Sequence, residues 1–183
     1  MTSKGFYLLD SDVFITAKNL YYSFKICPGF WKCMLHHHQQ DTVFSIDRVR
    51  SELLAGAPTD DLVSWVSSSV PDTFFLKVDT EAVVSTYTEI MLWVQRHPNY
   101  FDAAKAKFAT GADGWLVAYA KVHDATVVTN EKPAPDSKKE VKLPDVCNQF
   151  NVPQASIFST LQLLAARFSW TPSLQPKATR HLI

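Results

Sequence analysis

The chain has no apolar stretch approaching the roughly 20 residues that cross a bilayer, no excess of one charge and no regular cysteine spacing. Its 18 basic and 18 acidic residues cancel, so no global field draws it onto nucleic acid, and any such binding must come from a local patch. Cys27, Cys33 and Cys147 make an odd, irregularly spaced set that fits reduced intracellular thiols better than a disulfide framework. Internal repeats, low-complexity segments and a signal-peptide hydrophobic region are missing too, which points to a cytoplasmic protein without a membrane partner. The expected organisation is one main domain over residues 1–170. The tail, 171–183, turns to Thr-Pro-Ser and basic residues without periodicity and is expected to be flexible.

What is there suffices for one buried core: 183 residues, 46% of them hydrophobic. Phe6 to Leu9, Val43 to Ile46, Phe74 to Val78, Thr126 to Val128 and Val141 to Leu143 read as short strands, with helical patterns between most of them. Asp47 is placed to cap a helix carrying Val49 and Leu53, ended by Gly56 and Pro58. Thr59, Asp60 and Asp61 start the next, with Leu62, Trp65 and Val66 as its apolar stripe. Asp79 or Thr80 begins a longer helix that Pro98 stops; Ala112 to His123 and Pro153 to Phe168 are two more. Such alternation predicts an α/β fold whose parallel sheet is covered on both faces.

Phe6-Tyr7-Leu8-Leu9 runs straight into Asp10-Ser11-Asp12, so two carboxylates stand just beyond a buried strand, where open α/β sheets bind their ligands. Glu52 follows the core-facing stripe of its helix and needs a partner there, while Asp113 leads the inward stripe of the Ala112 helix at an N-terminus that favours negative charge. Thr126-Val127-Val128 ends in Thr129-Asn130-Glu131, which brings a further hydroxyl and carboxylate to the same edge if the two strands are parallel. Like charges about 5 Å apart repel by roughly 3 kcal/mol at an effective dielectric near 20, so protons or divalent cations must neutralise the group. Carboxylates suit Mg²⁺ or Mn²⁺ rather than zinc, and such a cation serves phosphodiester cleavage. Taken singly, each acid reads more readily as a cap or a solvated residue; the joint arrangement carries the weight.

The sequence resembles the PIN-domain family of metal-dependent nucleases, which includes the VapC-type toxins, and looks most like a larger PIN-like branch long filed as a domain of unknown function. Leu9-Asp10-Ser11-Asp12-Val13-Phe14-Ile15 is similar to the opening motif, where Asp12 replaces a common Asn. Ser51-Glu52-Leu53-Leu54 resembles the second motif, Ala112-Asp113-Gly114-Trp115-Leu116-Val117-Ala118 the third, and Val128-Thr129-Asn130-Glu131 the fourth, with Glu131 where Asp is commoner. The likeness covers about Gly5 to Val152; Asn19 to Gln40 is an elaboration.

It implies a three-layer α/β/α PIN-like fold around a mostly parallel five-stranded sheet, and a Mg²⁺- or Mn²⁺-dependent endoribonuclease, the toxin of a type II toxin–antitoxin pair. Its partners would be an RNA substrate, a cognate antitoxin protein and a second copy of the chain. Asp10, Glu52 and Asp113 are the expected metal ligands, with Asp12 and Glu131 beside them. Thr129 would orient a water or ligand, and Asn130 would support the same turn. The alternative is a PIN-like module that binds RNA or protein without cutting.

Other features compete less well. Asp-x-Asp after a strand also opens haloacid-dehalogenase-like phosphatases, but those place their Thr or Ser strand before the later acidic motif, and here Asp113 precedes Thr129. His36-His37-His38 with Cys27 and Cys33 lacks zinc-site spacing and reads as a partner-facing or solvated helix. Lys132, Lys138, Lys139 and Lys142 could hold a nucleic-acid backbone or simply be solvated. Phe30, Trp31 and Trp65 read as core before they read as base-stacking groups, and Asp145 as a helix cap before an additional site acid.

Overall fold

The first apolar run forms β1 (Tyr7–Leu9), and Asp10 takes the N-cap position of α1 (Ser11–Thr16), which runs on as a π-helical turn at Ala17–Tyr21. The computed structural model describes residues 5–169. Pro28 opens α2 (Pro28–Gln39), and β2 (Val43–Ile46) leads directly into α3 (Asp47–Leu54). The side chain of Asp60 accepts the Leu62 N–H at 2.8 Å and so caps α4 (Asp61–Ser68). A 3-10 turn at Asp72–Phe74 then precedes β3 (Phe75–Leu76), α5 (Glu81–Arg96), α6 (Asp102–Thr110) and α7 (Asp113–His123). The chain closes with β4 (Thr126–Val128), α8 (Leu143–Gln149), β5 (Gln154–Ala155) and α9 (Ile157–Leu163).

All four strand pairings are parallel, in the order β3-β2-β1-β4-β5. Helices flank this sheet in a three-layer α/β/α arrangement, because right-handed crossovers in opposite directions from the centre put their helices on opposite faces. The chain winds outward from β1 to β3, then returns to the other side of β1 with β4 and β5. The order therefore reverses between β1 and β4, and their carboxyl ends splay apart into a crevice. Leu8 and Leu9 pair with Val127 and Val128 at that seam, all of them buried. Among the described residues no helix is long and apolar enough to cross a membrane.

Several expectations give way. Val141 to Leu143 is not a strand: Lys142 is the N-cap of α8, with Pro144 in the first turn, where its missing N–H does no harm. The fifth strand is Gln154–Ala155, inside the expected last helix, which shrinks to α9; Leu164 and Phe168 lie beyond it. The third strand is limited to Phe75–Leu76, since Phe74 belongs to the 3-10 turn and Val78 lies past the last pairing. Ile46, not Asp47, takes the N-cap of α3, and Asp47 makes no capping hydrogen bond. Asp145 caps nothing; its carboxylate accepts the Ala134 N–H and ties down the loop after β4. The expected tail, 171–183, lies outside the described residues.

Burial also settles the aromatic and histidine readings. Trp31 stacks on Phe24 at 3.9 Å and meets Trp65 edge-on at 4.9 Å, and Phe30, Trp31 and Trp65 are all buried. They are core. The histidine run does lie on a helix, α2, but His38 is buried against Phe44 and Phe74, with Nε2 3.1 Å from the Thr73 hydroxyl.

At Gly114 α7 comes so close to its neighbours that an added Cβ would lie 3.0 Å from Tyr87 Cε2 and 3.3 Å from Phe108 Cε1. Gly114→Ala gains about 1 kcal/mol of helix propensity and loses about 1–3 kcal/mol to overpacking. A lower urea midpoint is therefore expected. A raised one would mean that Tyr87 yields freely.

Candidate active site

The crevice between β1 and β4 gathers acids from four separate parts of the chain. Asp10, at the end of β1, is 4% exposed, and its main-chain N–H donates to Val128 O, fastening it to β4. Thr129 Oγ1 donates to Asp10 Oδ2 at 3.0 Å, and the Asn130 N–H donates to both oxygens of Asp12 at 3.2 and 3.3 Å. The Thr129 hydroxyl and the Asn130 N–H, both just past β4, therefore orient the two carboxylates of the Asp-Ser-Asp turn. Only a parallel β1–β4 pair allows this.

α3 and α7 supply the opposite wall. Glu52 Oε1 accepts the Ala112 N–H at 2.8 Å, so the partner that its position demanded is the backbone N–H of the residue that caps α7. Asp113 follows at once, and Glu131 is held by the Leu143 N–H at 3.1 Å, at the start of α8. Glu52, Asp113, Glu131, Ser11 and Lys142 line one cavity of about 360 Å³.

Charge in this cavity is poorly compensated. Burial raises the Asp10 carboxyl well above its usual range, and Asp113 and Asp12 push it further in the same direction. Asp113 is pushed up to about 7, by burial first, then by Glu131, Glu52 and Asp12, with Lys142 pulling the other way. The helix N-terminus favours its charge, but desolvation and like charge win. Asp12 is raised by burial against the pull of the Asn130 N–H. The buried Cys147 thiol nearby is pushed up to about 12 by desolvation and by Asp10 and Asp113.

Lys142 faces this group and is already engaged, 3.5 Å from Glu131 Oε1 and 2.6 Å from Glu140 Oε2. Lys132, Lys138 and Lys139 are exposed on the loop after β4 and do not line the cavity. Two charged lining residues lie outside the expected set: Glu140, and Lys107, which lies 3.6 Å from it. Lys107 rides on α6, an unanticipated helix, so no sequence signal placed it here.

Among the described residues, no three His, Cys, Asp or Glu side chains stand as a closed metal-ligand set. Glu52, Asp113 and Glu131 line the cavity, while Asp10 and Asp12 do not line it and reach this group through their electrostatic interaction with Asp113. Their chemistry still fits a hard divalent cation: the donors are carboxylate oxygens, and like charge outweighs the pull of Lys142 at Asp113.

Residues 7–168 match the model of a family described as Domain of unknown function (DUF4411). The chain belongs to that family. The matched span holds all five acids, together with Thr129 and Lys142, so the whole cavity lies within the DUF4411 domain. No curated protein matches the chain.

Proposed function

We propose that this DUF4411 protein is a PIN-like, metal-dependent endoribonuclease and the toxin of a type II toxin–antitoxin pair. The observation that carries the reading is the gathering of Asp10, Asp12, Glu52, Asp113 and Glu131 around the sheet's switch point, where the Asp10, Asp12 and Asp113 carboxyls are raised and call for a cation. Asp10, Glu52 and Asp113, aided by Asp12 and Glu131, would hold Mg²⁺ or Mn²⁺. When bound, such an ion supplies an activated water and offsets charge on the phosphodiester.

The chain's own groups do the rest. Thr129 and the Asn130 N–H fix the Asp10 and Asp12 carboxylates before substrate arrives, which removes reorganisation from the reaction. Lys142 presents positive charge to the phosphate, and the exposed Lys132, Lys138 and Lys139 steer the RNA backbone from outside. A toxin assignment brings with it a cytoplasmic location, a cognate antitoxin protein and pairing with a second copy.

One observation favours a second reading, a module that binds RNA or protein without cutting: the acids form no closed ligand set among the described residues. A calorimetric Mn²⁺ titration beside an RNA cleavage assay separates the two. The nuclease predicts micromolar-range binding, on the order of 8 kcal/mol, together with Mn²⁺-dependent cleavage. Weak heats and intact RNA would favour the module.

A further inference from the structure

Next to the acidic cavity lies a more open groove of about 580 Å³, and the two share Glu52, Thr110 and Gly111. Its wall is a stack of planar groups. The Tyr87 and Trp115 rings lie 3.7 Å apart and 7° from parallel, and the Arg48 guanidinium stands 5.3 Å from the Trp115 ring centroid. Arg48 is exposed, whereas Tyr87 and Trp115 are half-buried.

Arg48 and Glu52 are four residues apart on α3, a spacing at which an arginine and a carboxylate usually pair. Here they do not. Glu52 is taken by the Ala112 N–H, and among the described residues Arg48 makes no ion pair. A planar cation is thus left over an indole, beside an acid of the site and in a groove open to solvent. A guanidinium and an aromatic face are what an unpaired nucleobase stacks on, and a base held inside a duplex cannot reach them.

We propose that Trp115, backed by Tyr87 and covered by a movable Arg48, is a stacking subsite for one unpaired nucleobase of a single-stranded RNA whose backbone continues into the acidic cavity. The position of the scissile bond rests on the nuclease reading; the stacking itself does not.

The test is binding of a short fluorescein-labelled oligouridine, followed by anisotropy in EDTA so that no metal-dependent cutting intervenes. The intact protein should hold it at least about fivefold more tightly than an abasic strand of equal length. Arg48→Lys, which keeps the charge but not the plane, and Trp115→Leu should each remove most of that preference, with affinity for the abasic strand changed by less than about twofold. Arg48 is exposed, so Arg48→Lys reads the subsite even if Trp115→Leu disturbs α7. Equal binding of the two strands by the intact protein overturns the proposal, and so does full preference in Arg48→Lys. A preference without Mn²⁺-dependent cleavage keeps the subsite and removes the nuclease; cleavage without a preference does the reverse.

Discussion

Asp113→Asn is expected to leave the metal-free protein more stable and inactive. Asp113 sits among Glu131, Glu52 and Asp12, and its carboxyl is raised to about 7, so near neutral pH the folded state carries charge that it would shed if it could. The amide keeps the shape and removes that charge. A gain of about 1–3 kcal/mol follows, or roughly 2–4 °C in melting midpoint for each kcal/mol in a domain of this size. On the proposed nuclease reading the same change deletes a metal ligand, and cleavage in Mn²⁺ should fall by about two to three orders of magnitude or more. Melting curves in EDTA and a cleavage assay on one preparation measure both. A variant that is both less stable and fully active would show that Asp113 is a structural helix-start residue and not part of a cation site.

The second large effect is in pH. Asp113 is raised from 3.8 to about 7 in the folded protein, with Asp10 and Asp12 raised as well, so between those values the folded state binds more protons than the unfolded one. Stability then falls as pH rises through that window, by up to about 1.4 kcal/mol per pH unit for one fully linked group, and levels off above it. Asp60 and Glu140 are lowered beside Lys18 and Lys142 and act in the opposite sense, but as surface pairs they contribute little. In EDTA the melting midpoint should drop between pH 5 and 7.5, on the order of 2–4 kcal/mol in stability. Saturating Mn²⁺ should flatten the drop, since a cation replaces the missing protons. Parallel curves with and without Mn²⁺ would sink the cation site.

How much of this could be read from the residues differs by region. Asp10, Asp12, Thr129 and Glu131 stand at the ends of strands dense in Leu and Val, where an apolar run and its abrupt polar end are both plain in the sequence. Asp113 was equally open, since Leu116, Val117 and Ala120 mark the buried face of its helix. Glu52 was half readable: its need for a partner shows in the pattern, but that the partner is the Ala112 N–H depends on how two helices pack. Gln154–Ala155 could not be seen, because a two-residue strand has no period and its pairing is set by β4. Lys142 misled in the other direction, since alternation around it imitates a strand while Pro144 starts a helix. α6 escaped because only Ala104 and Phe108 of it are buried, too few to print a stripe.

β1 lies between β2 and β4, so β1 keeps one edge unpaired until Thr126–Val128 has been made. Long-range parallel pairing of this kind forms late and slowly. A chain that ends before Thr129 lacks both the hydroxyl that sets Asp10 and the acid that faces Asp113, so the acidic crevice is completed only as β4 docks.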